Sequence, residues 1–355
     1  MSVLIQRRPA SPGAYAPDAI VLAVDGGGSK TDMIALTMDG QLVAQVRGPG
    51  SNPHVLGLER SLSIIRGIAA DAHAMAGKRR LIHTSIYLSG IDFPAEIDAF
   101  SAAIAQEPWT EGSAGLPPVV DNDLFALLRA GTSEPDAVAV VCGTGINAVG
   151  VRADGATARF PALGTISGDW GGGGSLGAQA LWHAARSEDG RGPKSVLQEL
   201  VPQAYGLSSV MEVIEAIHFK KIRARTIVDL TPVLFAAAAS GDEAAAAEID
   251  RQAQEIVIMA VTALHRLGLQ DSDVPVVLGG GVLGSNDLRL MTGIATGLNA
   301  QAPNARIQLV KAAPILGAGL LALESVGASP EAMERAQGEM QKSAKLSRPR
   351  GKSEK

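Results

Sequence analysis

Twice along this chain an apolar run stops at a short glycine-rich turn and then resumes. The first instance is IVLAVDGGGSKTDMIAL, residues 20–36, and the second is AVAVVCGTGINAVGV, residues 137–151. Each leads to an Asp-Gly pair, Asp39–Gly40 and Asp154–Gly155, and then to further strand-like residues. Asp-Gly between alternating apolar positions is a strong hairpin signal. Strand, glycine turn, strand, hairpin and third strand therefore occur over 20–44 and again over 137–159. An internal duplication of one α/β unit is the economical reading. Two such halves would leave a cleft between them, where ligands usually bind.

The turns carry a chemical message of their own. Glycines let another molecule approach the backbone, and consecutive amides in such a turn can cradle an anion, usually a phosphate. Asp25, at the end of the first apolar run, would repel a phosphate unless a metal ion lay between them. The first turn therefore reads as a nucleotide-plus-magnesium site. Asp25 would hold Mg²⁺ directly or through water, and the amides of Gly26–Lys30 would meet the phosphates. A lone aspartate suffices, because Mg²⁺ keeps several waters and takes only one or two carboxylates. Lys30 either adds positive charge or is simply solvated. The turn is not a Walker loop, since GxxxxGK[ST] does not occur there.

The remaining elements follow in α/β order. Helical spacing predicts a helix over Leu58–Ala76, and Leu81–Gly90 reads as a strand running into a polar loop. Residues 118–131, PVVDNDLFALLRAG, read as a short strand, an acidic turn and a helix ended by Gly131. After Ala178 the pattern is largely helical, with an Ala-rich helix from Asp242 to Leu267. A last strand, 274–284, runs into Gly279, Gly280 and Gly281, and 314–327 is a closing helix. The run Gly171–Gly174 reads as a flexible loop leading into a helix over Leu176–Arg186. Residues 1–18 and 340–355 read as a disordered leader and a disordered basic tail. The first domain is then 19–121, with the closing helix returning to it, and the second is 122–313.

Composition excludes several classes. The chain has 355 residues, enough for two domains, and a single cysteine, Cys142. One cysteine rules out a disulfide framework or an all-cysteine metal site within one chain, and it fits a reducing cytoplasm. No apolar run approaches the ~20 residues needed to span a bilayer. The net charge of −5 hides an asymmetry: residues 342–355 hold six basic residues and one acid, and the rest, with 25 basic and 35 acidic residues, carries −10. An acidic body argues against nucleic acid as a main ligand. His54 and His183 have no metal-ligand spacing to other His or Cys residues and read as surface or packing residues.

Three glycine turns in this order, Asp25–Thr31, Cys142–Asn147 and Gly279–Gly281, resemble the sugar kinase, actin and heat-shock chaperone superfamily. More narrowly, the chain resembles the BadF/BadG/BcrA/BcrD ATPase family, and within it the N-acetylglucosamine kinases, over roughly Ile20–Gly327. The resemblance implies two duplicated ribonuclease H-like α/β domains with an interdomain cleft, the actin-like ATPase fold. It implies ATP phosphates on Gly26, Gly27, Gly28, Ser29, Lys30 and Thr31 and on Gly143, Thr144 and Gly145, and adenosine on Gly279–Gly281. A sugar would meet Asn52, Gly90, Asp92, Asp123, Asn147 and Asp169, and the chain would form a homodimer.

In that family an Asn-Asp pair opens the helix after the acidic strand, which maps to Asn122–Asp123. Asp123 is then the base that accepts the sugar hydroxyl's proton, work worth ~10²–10⁴ in rate. Asp121 is its rival, and both residue types also suit a helix N-cap. Trp170 stands where the family's GDEGS-like stretch has Glu, which leaves the sugar's identity open; it would either stack on a sugar or anchor in the core. The implied activity is ATP- and Mg²⁺-dependent phosphorylation of the 6-hydroxyl of an aminosugar, N-acetylglucosamine foremost, with glucosamine or another hexose as the alternative. The family also holds ATPase activators of 2-hydroxyacyl-CoA dehydratases, which supply two cysteines per subunit where this chain has one. A non-catalytic sugar sensor is the other rival, but the leader has no room for a DNA-binding module.

Overall fold

The computed structural model describes residues 15–110 and 116–346. The chain divides into two compact units: one runs through Pro135 and resumes at Val151–Thr157 and from Val310 on, and the other takes Asp136–Gly150 and Ala158–Leu309.

In the first unit, β1 (Ile20–Gly26), β2 (Lys30–Thr37), β3 (Leu42–Pro49), β4 (Leu81–Leu88) and β5 (Val119–Asn122) form one sheet in the order β3-β2-β1-β4-β5. β1, β2 and β3 make an antiparallel meander, and β1, β4 and β5 run parallel. β1, β2, β4 and β5 are buried almost throughout, as strands covered on both faces must be, and their sequences are correspondingly continuous in apolar residues. β3, at the edge, turns Ala44 and Val46 inward and Gln45 and Arg47 outward. Four helices follow the strands: α1 (Pro53–Leu56), α2 (Leu58–Ala76), α3 (Pro94–Ile104) and α4 (Asp123–Gly131). Leu62, Ile65, Ile68, Ala69, Ala72 and Ala76 recur at helical spacing on α2 and join Leu22, Val24 and Ile86 in the core.

The second unit repeats the plan. β6 (Ala137–Cys142), β7 (Ile146–Val151), β8 (Thr157–Arg159), β9 (Pro275–Gly279) and β10 (Arg306–Leu309) lie in the order β10-β9-β6-β7-β8, with β6, β9 and β10 parallel. From the opposite edge, β8-β7-β6-β9-β10, this is the strand order of the first sheet. Helix α5 (Gly172–Glu188) and the long helix Glu243–Leu267 belong to this unit.

Several expectations need correction. The division falls after Pro135 rather than after Asp121, because α4 packs on the helix Pro314–Ser325 and Arg129 pairs with Glu324 at 2.7 Å. Residues 15–18 are not disordered: the Ala19 N–H bonds Ala16 O at 3.0 Å, and Pro17 O accepts from Asp39 N–H at 3.3 Å. Residues 1–14 lie outside the described residues. The tail is helical to Leu346, in a helix that opens at Pro330, because Ala332, Ala336 and Met340 recur four apart and are buried; 347–355 lie outside the described residues. Val274–Gly284 is not the last strand, since β10 follows it. Gly172–Gly174 form the first turn of α5 rather than a flexible loop.

Candidate active site

Sheet register places one row of polar residues across the first unit. Arg47 lies opposite Asp32, Asp32 opposite Asp25, Asp25 opposite Tyr87, and Tyr87 opposite Asp121. Directly opposed residues share a face, so this row sets two carboxylates side by side on β1 and β2. Asp32 is 1 % exposed. Burial pushes its carboxyl up, but hydrogen bonds from Arg47 and Lys30 outweigh that and hold it below the usual range. Lys30 Nζ lies 2.6 Å from Asp32 Oδ2, and Arg47 reaches both oxygens, at 2.6 and 3.1 Å. Asp25 has no such compensation. Desolvation raises it to about 7; Lys30 opposes the rise, Asp32 adds to it, and Arg47 opposes it.

The first glycine turn is tied to its surroundings through the backbone. Gly27 N–H donates to Lys30 O at 2.8 Å, Ser51 N–H to Gly27 O at 3.0 Å, and Ser89 N–H to Gly26 O at 2.8 Å. Gly28 and Ser29, at the tip, are exposed. Two of the expected phosphate contacts are engaged within the fold: Lys30 is ion-paired to Asp32, and buried Thr31 donates to Pro49 O at 2.7 Å with its Oγ1 also 2.8 Å from the Ser51 hydroxyl. Thr31 is thus an anchor of the loop.

The carboxyl ends of β1, β4 and β5 bring the expected sugar residues of this unit together. Asn122 caps α4: its Oδ1 accepts from Leu124 N–H at 3.0 Å, and its Nδ2 donates to Asp92 Oδ1 at 2.9 Å and Ile91 O at 3.2 Å. Asp121 stays buried in β5, its Oδ1 accepting from Asn122 N–H at 2.7 Å. The cap is therefore neither aspartate, and Asp123 opens the helix as its first residue. Desolvation raises Asp123 to about 8, the Asp25 and Asp92 charges add to the rise, and the amides of Asp123 and Leu124 oppose it. Asn52 caps α1, accepting from Val55 N–H at 3.3 Å and donating to Ser89 Oγ at 3.1 Å. Gly90 sits at φ +77°, and a Cβ there would lie 2.4 Å from Asn52 Oδ1, so only glycine fits.

In the second unit the corresponding turn is held by glycines. Gly143 N–H donates to Gly145 O at 2.9 Å, Gly173 N–H to Gly143 O at 2.7 Å, and Gly174 N–H to Thr144 O at 2.8 Å. Gly172, at φ +81°, would place a Cβ 2.5 Å from the Gly145 backbone, and its N–H donates to Gln252 Oε1 at 2.8 Å. Thr144 and Gly145 remain exposed. Buried Asn147 accepts from Ala148 N–H at 2.7 Å through Oδ1. Asp169 is half-buried and accepts from the Ser167 hydroxyl. Trp170 has the Arg251 guanidinium 3.9 Å above its ring, so one aromatic face is already covered. Cys142 is buried, and desolvation pushes its thiol up to about 12. Gly279 ends β9, and Gly280 and Gly281 open the short helix Gly281–Gly284.

Asp32, Arg47, Gln252 and Arg251 all belong to this picture and were not foreseen. Asp32 could have been: a four-residue turn after Gly26 pairs position 25 with position 32.

A sequence model of the BadF/BadG/BcrA/BcrD ATPase family matches residues 22–322, which include all three glycine turns and Asp123. The chain belongs to the BadF/BadG/BcrA/BcrD ATPase family. It is similar to the N-acetyl-D-glucosamine kinase of Dictyostelium discoideum, 25% identical over 320 residues, covering 86% of this chain and 98% of that one. The N-acetylmuramic acid/N-acetylglucosamine kinase of Clostridium acetobutylicum is 27% identical over 305 residues, covering 85% and 97%. Among solved structures, one from Chromobacterium violaceum aligns with a TM-score of 0.65 at 22% identity, covering 86% of this chain and 99% of that one. A ROK family glucokinase from Streptomyces griseus, solved with glucose and AMPPNP, aligns with a TM-score of 0.51 at 16% identity, covering 86% and 99%. These likenesses place this BadF/BadG/BcrA/BcrD member in the actin-like ATPase fold.

Proposed function

We propose that the protein is an ATP- and Mg²⁺-dependent kinase that phosphorylates the 6-hydroxyl of an aminosugar, N-acetylglucosamine foremost. The observation that carries this reading is Asp123, a carboxyl raised to about 8 at the start of α4, beside Asn122 and Asp92 at the strand ends. A base must accept the hydroxyl proton as the oxygen attacks, and Asp123 does so in its ionised form, so activity should rise with pH toward about 8. Asn52 and Asp92 supply donors and acceptors for sugar hydroxyls, and family resemblance adds Asn147 and Asp169 to them. The exposed amides of the two glycine turns suit phosphate oxygens, and Gly279–Gly281 suit the adenosine.

Asp25 fits a magnesium ion. Among the described residues no group of three or more His, Cys, Asp and Glu side chains could hold a metal, and Mg²⁺ needs only one or two carboxylates with water. Desolvation of Asp25 is a cost that a bound cation offsets. When bound, the ion supplies charge neutralisation for the transferring phosphoryl group. Both relatives reported above are named as aminosugar kinases, which supports this substrate class. A cytoplasmic homodimer accompanies the reading, on family resemblance. The redox-activator alternative loses ground because Cys142 is buried with its thiol raised to about 12, the reverse of a reactive ligand.

The test is ADP release from Mg-ATP with N-acetylglucosamine, glucosamine, glucose and N-acetylmuramic acid offered separately, with the product's phosphate position determined. Selective stimulation by N-acetylglucosamine with 6-phosphate product is the expected result. Release indifferent to all four sugars overturns the assignment.

A further inference from the structure

His54 and Glu96 have no part in the site as assigned so far, yet they close a ring around Asp92. Glu96, in the first turn of α3, accepts the Asp92 N–H at 2.9 Å and the Phe93 N–H at 3.0 Å through Oε2. Its other oxygen, Oε1, lies 2.7 Å from His54 Nε2. The second ring nitrogen, Nδ1, faces Asp92 Oδ2 at 4.0 Å. Asp92 Oδ1 accepts from Asn122 Nδ2 at 2.9 Å. Three elements thus converge on Asp92: α1 and the cap of α4 on its carboxylate, α3 on its backbone N–H.

Burial adds a second observation. The Asp92 side chain is 5% exposed, while His54 and Glu96 are about one-third exposed, so the bridge forms a polar rim over a buried acceptor. Burial raises the Glu96 carboxyl, but the Phe93 and Asp92 amides and His54 outweigh it and hold it below its ordinary range. Capping α3 requires the two amide bonds but not the histidine. His54 is also tied to the site by sequence, two residues after Asn52, whose carbonyl and side chain shape α1.

We propose that His54 and Glu96 are positioning residues for the sugar: they hold the Asp92 carboxylate and the 90–93 turn so that Asp92 accepts from sugar hydroxyls. The inference rests on the aminosugar-kinase reading. His54 and Glu96 act through Asp92 and leave the nucleotide contacts untouched.

The experiment measures kcat and both KM values with Mg-ATP and N-acetylglucosamine, alongside thermal melting. His54→Ala should raise the sugar KM about tenfold, the worth of a hydrogen bond to a charged group. kcat and the ATP KM should stay within about twofold. Glu96→Gln keeps an acceptor for the two amides but loses the charge, so it should act in the same direction and more weakly, with α3 still capped. His54→Gln retains a donor to Glu96 and should recover part of the loss. The double variant His54→Ala/Glu96→Gln should be no worse than His54→Ala alone, because the two residues act as one unit. An unchanged sugar KM in His54→Ala overturns the inference, as does a rise in both KM values with a fall in melting temperature. Wild-type ADP release indifferent to sugar overturns the kinase reading, and the inference with it; a stimulated wild type indifferent to His54→Ala sinks the inference alone.

Discussion

The two glycine turns share a strand order and little else. Before the first glycine of one stands Asp25, and before the first glycine of the other stands Cys142. Around the first turn lie Lys30, Asp32 and Arg47, bound to one another by ion pairs. Around the second lie Gly172, Gly173 and Gly174, bound to it by backbone contact. Duplication has kept the sheet and let the chemistry diverge: one copy carries ionisable groups at its strand ends, the other presents amides. The lesson is that a repeat identifies a scaffold, while the rows of side chains on it decide what each copy does.

The sharpest way to break this contrast is to remove the ionisable group that the first unit alone possesses at the head of α4. Asp123→Asn should lower kcat by ~10²–10⁴ while N-acetylglucosamine and ATP still bind, as isothermal calorimetry would register. Activity within a fewfold of wild type would transfer the base role elsewhere. The corresponding blow to the second unit is steric. Gly172→Ala forces a left-handed φ on alanine and drives its Cβ into the Gly145 backbone. A loss of about 2 kcal/mol or more in stability is expected from strain and overpacking together. A rise in the ATP KM should accompany it and leave the sugar KM alone. Chemical denaturation and steady-state kinetics on the same variant measure both.

Much of the scaffold was legible because it rests on local signals. Glycine turns, Asp-Gly hairpins and continuous apolar runs locate β1, β2, β6 and β7, and the Asn-Asp pair locates the start of α4. What escaped was carried by partners far apart in sequence. His54 and Glu96 are 42 residues apart, and Arg47 and Asp32 meet only through strand pairing. Trp170 reads as either a sugar platform or a core anchor until Arg251 is placed over its ring. Glycine is a poor helix former, so Gly171–Gly174 read as a loop; contact with the second turn overrides propensity and makes three of them a first helical turn. β10 gives no local signal, because its four edge residues alternate between exposed and half-buried and lack an apolar run.

The charge asymmetry between the units also sets a pH dependence. Asp123 titrates at about 8 in the folded protein, against an ordinary aspartate value of 3.8, with desolvation the largest cause. Below about pH 4 both the folded and unfolded forms are protonated, and the group contributes nothing to the difference. Between pH 4 and 8 the folded form keeps a proton that the unfolded chain has lost, so stability falls as pH rises through this window. Asp25, raised to about 7, acts in the same sense. Without nucleotide or Mg²⁺, the melting temperature of Asp123→Asn should therefore exceed wild type by several degrees at pH 8.5 and match it near pH 4. Scanning fluorimetry across that range is the check, and parallel wild-type and variant curves would contradict the assignment.

The smallest effect should come from Lys30→Ala, and its smallness is informative. Asp32 is buried between two cations, and Arg47 alone meets both of its oxygens. Removing Lys30, whose side chain is 45% exposed, leaves that two-point contact intact, so the loss should stay under ~1 kcal/mol, as for exposed pairs. Arg47→Ala leaves Asp32 with a single contact from Lys30 and should cost somewhat more. Removing both strands a buried charge, and the double variant should fall by more than the sum of the singles, toward the ~3–5 kcal/mol of a broken buried pair. Strict additivity would mean that Asp32 hydrates when its partners leave. In that case the row from Arg47 to Asp25 would be two independent surface contacts rather than a unit that braces the first glycine turn.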